Sequence, residues 1–219
     1  MMTLLSLFML LSCGGHSAEL AVSQSGLTTI GPITTQSDHT RGSLISDVIS
    51  NPSFGNYGRL IFPVNNSYWG GSTLEQLSLT WYTHINPDKT VEVVNYLLAH
   101  SDDCFFDIYT EAEKQTDPRK RDTGLFFFRG KANQPFAICN AGGGFAYVGA
   151  MHDSFPHALE LSKKGYNAFA LIYRPGAQTA CEDLARAIDF IFNHAKELEV
   201  ATNDYSLWGD QPGHAWPPG

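Results

Sequence analysis

Three consecutive glycines that follow a short apolar run are the feature of this sequence best suited to chemistry. Residues 136–145 read Phe-Ala-Ile-Cys-Asn-Ala-Gly-Gly-Gly-Phe, with the glycines at Gly142, Gly143 and Gly144. Glycine has no Cβ, so the backbone of such a loop can approach a ligand closely and present its N–H groups to it. Such groups can stabilise a developing negative charge, although a glycine triplet alone is equally typical of a flexible turn.

The residues on either side of the glycines predict one βαβ unit. The apolar run 136–139 is typical of a buried parallel strand, residues 147–164 predict a helix that ends at Gly165, and residues 167–173 predict a second strand. Open α/β sheets bind their ligands at the carboxyl ends of the strands, and the glycine loop lies at such an end. The sequence therefore predicts an α/β fold with a candidate site at this loop.

The loop Ala141-Gly142-Gly143-Gly144-Phe145 resembles the His-Gly-Gly-Gly-Phe loop of α/β-hydrolase esterases of the hormone-sensitive-lipase type. In that family the loop lies between the third strand and the first helix and supplies N–H groups of the oxyanion hole. The resemblance implies that Gly143 and Gly144 are the donors, while Ala141, Gly142 and Phe145 complete the loop. Ala141 stands where the family usually has a His that braces the loop.

The resemblance covers residues 107–208 and stops where the family places its nucleophile. The family carries a serine in a Gly-x-Ser-x-Gly turn directly after a strand. Here the predicted strand 205–208 is followed by Gly-Asp-Gln-Pro-Gly at residues 209–213, which contain no serine. The prolines of the tail also prevent the helix that would follow the turn.

The codons of residues 210–219 permit an explanation for the missing serine turn. Read from the third base of the Asp210 codon, the codons of residues 211–219 permit Ser-Ala-Gly-Ala-Arg-Met-Ala-Ala-Trp. After a glycine, this sequence forms a Gly-x-Ser-x-Gly turn that runs into an Ala-rich helix, so one lost base near Asp210 would produce the observed tail. We interpret residues 210–219 as aberrant and out of frame, and a genuine proline-rich C-terminus is the alternative.

The resemblance implies an α/β-hydrolase fold, a mostly parallel sheet with flanking helices, that is incomplete at its C-terminus. The chain is then related to serine carboxylic-ester hydrolases but inactive as written, because the nucleophile, acid and His are missing. We assign no catalytic residue, cofactor or metal, and expect a small-molecule ester as substrate of the intact relative. A non-catalytic exported lipoprotein or ligand-binding module is the alternative. The net charge of −8 argues against a nucleic-acid partner.

The N-terminus predicts export. The apolar run 4–11 is too short to span a bilayer and has the length of a signal-peptide core. Two outcomes remain open, since Leu-Leu-Ser-Cys resembles a lipobox that would place a lipid anchor on Cys13, whereas cleavage after Ala18 would release a secreted protein. Either outcome predicts a periplasmic, membrane-anchored or secreted protein.

The sequence divides into four predicted parts. Residues 1–18 are the signal peptide or lipoprotein signal, and residues 19–56, rich in Ser, Thr and Gly, form a polar lead-in. Residues 57–209 form the partial α/β-hydrolase domain, and residues 210–219 are the aberrant tail.

Further strands are predicted where apolar residues run together, and a helix where they recur every three or four positions. The strand predictions cover residues 59–64, 78–84, 105–109, 125–128 and 205–208, and the helix prediction covers residues 90–100. We expect the strands 125–128 and 136–139 to form a hairpin that leads into the sheet. The charged stretch 111–121 predicts a solvated loop.

A cluster of four polar residues follows the glycine loop. His152, Asp153, Ser154 and His157 lie along one predicted helix, and neighbours on a helix point to different sides, so they do not form a catalytic triad. Asp153 or Ser154 is instead interpreted as the helix N-cap.

A capping box predicts the start of a later, amphipathic helix. Thr179 would be the N-cap and Glu182 the third helical residue, with Asp183 and Arg186 on the solvated face.

The four cysteines have spacings that match no metal motif. We interpret Cys139 and Cys181 as small buried hydrophobic residues. If Cys13 is lipidated or removed, three cysteines remain, which predicts at least one unpaired or intermolecularly bridged thiol.

Overall fold

The computed structural model describes residues 38–82 and 84–209. The predicted signal with Cys13 and the tail 210–219 lie outside the described residues. The strands are β1 (Trp69–Gly70), β2 (Ser78–Leu79), β3 (Phe105–Phe106), β4 (Gly124–Phe128), β5 (Gln134–Asn140), β6 (Asn167–Ile172) and β7 (Val200–Gly209). The α-helices are α1 (Ile45–Ile49), α2 (Pro87–Ala99), α3 (Glu111–Thr116), α4 (Ser154–Lys163), α5 (Ala177–Asn193) and α6 (Ala195–Leu198).

Strands β3 to β7 form one sheet with the order β3-β4-β6-β5-β7. β5 is parallel to both of its neighbours, β6 and β7, whereas β4 is antiparallel to β3 and β6. All strands of this sheet except β4 therefore run in the same direction, which confirms the predicted α/β fold with a mostly parallel sheet. The expected hairpin between 125–128 and 136–139 is wrong, because β6 lies between β4 and β5.

The strands of this sheet bury side chains on both faces. Every residue of β4 and of β6 is buried, as expected for strands covered on both sides. Side chains alternate along a strand, so Phe126 of β4 packs on Phe155 of α4 with ring centroids 4.9 Å apart. Phe127 lies on the opposite face against Phe106, whose ring contacts Phe190 of α5. Helices α4 and α5 therefore cover opposite faces.

Local capping decides where the helices begin. The Asn86 side chain accepts hydrogen bonds from the N–H groups of Asp88 and Lys89, and Pro87 occupies the first position of α2. The predicted helix 90–100 is confirmed and begins a few residues earlier. The strand predictions 136–139, 167–173 and 205–208 are confirmed by β5, β6 and β7.

The stretch 111–121 is exposed or half-buried at every residue except Lys114, as predicted, but it is helical and not a loop. Thr110 and Glu113 form a capping box that starts α3, and a turn of 3-10 helix follows at Pro118–Asp122. The side chain of Lys114 is buried and pairs with Asp107 and Glu111. The other basic side chains of this stretch also have partners. Arg119 and Arg121 form ion pairs with Asp117 and Glu111, and Lys120 lies over the ring of Tyr109.

The predicted strand 59–64 is also wrong. Gly58–Leu60 form a turn of 3-10 helix, and a Cβ at Gly58 would lie 2.4 Å from the carbonyl oxygen of Ile49 in α1. This close approach turns the chain, so that Leu60, Ile61 and Phe62 are all buried in succession. The strand predictions 78–84 and 105–109 shorten to β2 and β3.

Part of the segment assigned to the polar lead-in enters the core. Within residues 38–56, α1 buries Ile45 and Val48, and Phe54 is completely buried. Ile45, Val48 and Ile49 have helical spacing, but they span little more than one turn, which is too short to establish a period in the sequence.

The capping box predicted at Thr179 is wrong. Helix α5 begins at Ala177, so Thr179 lies inside its first turn, where its hydroxyl donates to backbone carbonyls that include those of Pro175 and Gly176. Asp183 is completely buried, which corrects its predicted exposure, and Arg186 is half-buried. Helical position alone could not show that Asp183 has a cationic partner within the fold.

Candidate functional site

The glycine loop extends from the carboxyl end of β5, the strand with parallel neighbours on both sides. It leads through a turn of 3-10 helix at Ala150–His152 into α4. The predicted helix 147–164 is therefore shorter than expected, and residues 147–149 belong to the loop. This arrangement places the candidate site at the edge where α/β sheets bind ligands.

Side chains and backbone groups from two other segments brace the loop. The N–H of Gly142 donates to Asp153 Oδ2 at 2.7 Å, and the Tyr173 hydroxyl donates to the carbonyl of Ala141 at 2.7 Å. The N–H of Gly176 donates to the carbonyl of Phe145 at 2.8 Å. These bonds hold the loop at both ends, and they do what a bracing side chain at position 141 would do.

The sequence predicted the position of Asp153 before α4 but not its contact with the glycine loop. Asp153 occupies the N-cap position of α4, as predicted, but makes no side-chain capping bond to the helix. Its buried carboxylate instead bonds the loop, and its Oδ1 lies 3.3 Å from Nδ1 of His157. An aspartate just before a helix can cap that helix, but its carboxylate can equally accept a hydrogen bond from a residue earlier in the sequence, as it does here from Gly142.

Gly143, Gly144 and Phe145 are three consecutive loop residues whose backbone N–H groups have no hydrogen-bond acceptor within the described part of the chain. The N–H groups of Gly142, Ala146, Tyr147 and Gly149 are bonded. Gly143 and Gly144 have positive φ angles of 147° and 59°, and Phe145, which is not a glycine, has φ of 58°. Strained residues of this kind collect at functional sites. The loop thus offers adjacent donors that can receive an anionic oxygen.

The two proposed donors differ in how tightly they are packed. A Cβ on Gly143 would lie 1.9 Å from the carbonyl oxygen of Tyr147, whereas a Cβ on Gly144 would meet no atom within 4 Å. Only glycine fits the first position, while the second faces open space. This difference provides a matched pair of substitutions.

The nucleophilic side chains near the loop are not activated. Burial, together with the charge of Asp153, raises the pKa of the Cys139 thiol to about 12, so it is protonated at neutral pH. The hydroxyl of Ser154 is buried and makes no hydrogen bond to any described residue. His157 contacts Asp153 but no serine, so the polar cluster does not form a triad, as predicted.

Cys104 and Cys139 are buried free thiols, whereas Cys181 is exposed, which corrects its predicted burial. No group of three or more His, Cys, Asp or Glu side chains in residues 38–82 and 84–209 could hold a metal ion. Among the same residues, no helix is long and apolar enough to cross a membrane.

A buried ion pair supports the turn that carries Gly176. The guanidinium of Arg174 donates from Nε and Nη2 to the Asp183 carboxylate, at 2.7–3.1 Å, and Tyr109 donates its hydroxyl to Asp183 Oδ1 at 2.8 Å. The backbone N–H of Arg174 also donates to this carboxylate. The network fixes the start of α5 and, through Gly176, the carbonyl of Phe145.

A cavity and an exposed aromatic surface flank the loop. The cavity has a volume of about 200 Å³ and is lined mainly by apolar side chains, including Phe62, Val64 and Val148. Tyr147 of the loop also lines it, and its ring stacks on Tyr68 with centroids 5.1 Å apart. An apolar cavity and aromatic surface therefore lie against residues 146–148 of the loop.

Two solved structures resemble part of the chain. One is an acetyl ester-xyloside bifunctional hydrolase from Caldicellulosiruptor lactoaceticus, at 25% identity and a TM-score of 0.43, over 48% of this chain and 41% of that one. The other is an α/β-hydrolase enzyme from a Medee basin deep-sea metagenome library, at 18% identity and a TM-score of 0.39, over 47% and 43%. The matched region is thus less than half of this chain and less than half of each solved structure. No family model and no curated protein matches the sequence.

Proposed function

We propose that this chain is part of a serine carboxylic-ester hydrolase of the α/β-hydrolase type, with Gly143 and Gly144 as oxyanion-hole donors. The observation that carries the proposal is the pair of unbonded N–H groups in a braced glycine loop at the carboxyl end of β5. In the intact enzyme they would bind the oxyanion that forms when a serine attacks an ester carbonyl. Removal of one such donor raises the barrier by about 2.7–4 kcal/mol in a serine hydrolase.

The 219-residue chain itself is proposed to be inactive. Neither Cys139 nor Ser154 has an activating base, and residues 209–213 lack the serine turn. An oxyanion hole has nothing to stabilise until a nucleophile attacks. One lost base near the Asp210 codon is the proposed origin of the tail.

Restoring that base provides the test. The gene with one base added near codon 210, translated through the downstream frame, should yield a protein that a fluorophosphonate probe labels and that hydrolyses p-nitrophenyl acetate. The 219-residue chain should do neither, because loss of a triad member costs on the order of a million-fold in turnover. Changing the restored serine to alanine is the matched control. Turnover by the 219-residue chain that Gly143→Pro abolishes would contradict the proposal.

Export is proposed on the sequence alone. The run 4–11 supports a cleaved signal, and Cys13 is the candidate for a lipid anchor. Intact mass spectrometry of protein from a bacterial host should find a chain that begins at a lipidated Cys13 or at Glu19. A cytoplasmic chain that retains Met1 would contradict export.

A further inference from the structure

We propose that the surface beside the glycine loop binds a neutral carbohydrate, which would form the alcohol part of the ester substrate. The surface consists of the rings of Tyr68, Trp81 and Tyr147, which we call the aromatic cluster, together with Tyr82. This inference rests on the proposed function for the position of the reacting ester, but the binding of sugar can be tested without any catalysis.

The rings of the aromatic cluster are held in place by one another. Trp81 and Tyr147 are nearly parallel, with an interplanar angle of 10° and centroids 6.1 Å apart, and Tyr68 stacks on Tyr147 at 22° and 5.1 Å. Tyr82 stacks on His152 with centroids 4.5 Å apart. Aromatic rings fixed in this way lose little conformational freedom when a ligand stacks on them.

Two of these aromatic residues are exposed. Trp81 is 61% exposed and Tyr82 is 48% exposed, while Tyr147, on which Trp81 stacks, is buried. Exposed aromatic surface of this kind marks binding sites more often than ordinary protein surface.

The cluster is connected directly to the proposed oxyanion donors. The carbonyl oxygen of Tyr147 occupies the space where a Cβ of Gly143 would lie, and the N–H of Tyr147 donates to the Gly143 carbonyl at 3.4 Å. A ligand that stacks on the exposed ring of Trp81 would therefore lie near the segment that packs on Gly143.

The absence of charge on these segments selects the class of ligand. Residues 60–74, 76–82 and 140–152 include all four aromatic residues and contain no Asp, Glu, Lys or Arg. Glu75 separates the first two segments, and Asp122 of the neighbouring cavity is paired with Arg59. On these segments an anionic ligand would lack a cationic partner, and a cation on the ring faces would lack a carboxylate. A neutral ligand with both apolar faces and hydroxyl groups matches this composition.

The shape of the surface favours a sugar over a fatty acyl chain. An acyl chain gains its binding energy by leaving water, which requires an enclosed channel. The side chains of Trp81 and Tyr82 are instead 61% and 48% exposed. A pyranose ring can place its C–H face on such a ring, whose π face carries partial negative charge, while its hydroxyl groups remain in water.

Titration with neutral oligosaccharides tests the inference. The 219-residue chain, and the frame-restored chain whose restored serine is changed to alanine, would be titrated with xylohexaose, cellohexaose, mannohexaose and decanoate by calorimetry. We expect saturable binding of at least one oligosaccharide. Trp81→Ala should lose at least about tenfold in affinity, as stacking of a ring on an aromatic side chain predicts.

Tyr166→Ala is the matched control, because Tyr166 is also an exposed aromatic residue, at 50%, but precedes the amino end of β6, away from the glycine loop. The affinity of this variant should equal that of the unsubstituted chain. The inference is overturned if no oligosaccharide binds either protein, if Tyr166→Ala weakens binding as much as Trp81→Ala, or if decanoate alone shows the dependence on Trp81.

The outcomes separate this inference from the proposed function. Sugar binding that depends on Trp81, in a frame-restored chain that no fluorophosphonate labels, would retain the carbohydrate site and refute the hydrolase. Labelling and ester hydrolysis without any sugar binding would retain the hydrolase and refute the carbohydrate site.

Discussion

At the scale of single residues, the candidate site depends on glycine backbone and one carboxylate. Close packing restricts which side chains fit at Gly143, whereas at Gly144 only the φ angle does so. Asp153 is needed for its hydrogen bond to the loop. These residues contribute in different ways, so their substitutions have different expected effects.

Gly143→Ala should destabilise the chain by more than about 2 kcal/mol, because its Cβ would overlap the Tyr147 carbonyl and its φ of 147° disfavours any side chain. Gly144→Ala should cost only about 1 kcal/mol, since its Cβ meets open space. Urea unfolding at low micromolar concentration measures both. Equal effects of the two substitutions would show that the loop is not packed as described.

Asp153→Ala should lower the free energy of unfolding by about 1–3 kcal/mol, because the N–H of Gly142 would lose a charged acceptor. The matched control is Asp189→Ala, whose carboxylate is largely exposed and lies 3.9 Å from Arg186. An unchanged transition midpoint would contradict the bracing role.

At the scale of elements, buried and surface ion pairs connect helices to the sheet in different ways. The Arg174–Asp183 pair is buried and fixes α5 to the end of β6. Lys89, Glu92, Glu160 and Lys163 form a surface network between α2 and α4.

Asp183→Ala should cost about 3–5 kcal/mol in urea unfolding, because it leaves the guanidinium of Arg174 buried with less compensation. Asp189→Ala, on the exposed side of the same helix, should change stability by less than about 0.5 kcal/mol. Similar effects of the two substitutions would mean that Asp117 and Glu182 suffice as partners of Arg174.

The surface network predicts a pH effect. Hydrogen bonds from Lys89 and Lys163 lower the pKa of Glu160 to about 2. The folded-state pKa is depressed, so the stabilisation is present above the ordinary glutamate pKa and is lost as the pH falls toward about 2. Lys89→Met should raise this pKa in a carboxyl NMR titration, whereas Lys196→Met should not. A Glu160 pKa unaffected by Lys89→Met would refute the pairing.

At the scale of the whole molecule, β7 forms an edge of the sheet in the described part of the chain. It pairs with β5 on one side, and Tyr205, Leu207 and Trp208 are 39–48% exposed. An exposed apolar edge strand is a template for pairing with other chains.

We predict that the 219-residue chain associates through this edge as its concentration rises. Leu207→Lys should reduce association in analytical ultracentrifugation, because a charged side chain on an edge strand opposes pairing. Tyr166→Lys, a substitution of a 50% exposed residue outside β7, is the control. Restoring the downstream frame should have the same effect as Leu207→Lys. A monomeric 219-residue chain with a sharp thermal transition would contradict this prediction.

The sequence by itself determined the α/β class and the position of the glycine loop. Buried parallel strands such as β5 and β6 are continuous apolar runs, and glycine triplets are rare enough to stand out, so both are visible in the sequence. Helix α2 was visible because apolar residues line one of its faces, and this periodicity is local.

Only the tertiary structure decided which polar groups were paired. The insertion of β6 between β4 and β5, the burial of Asp183 against Arg174, and the bond from Gly142 to Asp153 all depend on how separate elements pack together. The stacking of Trp81 on Tyr147 likewise joins segments 66 positions apart in the sequence. Local patterns report propensity and periodicity, whereas the cost of burying a charge or an N–H depends on the partner that the fold supplies.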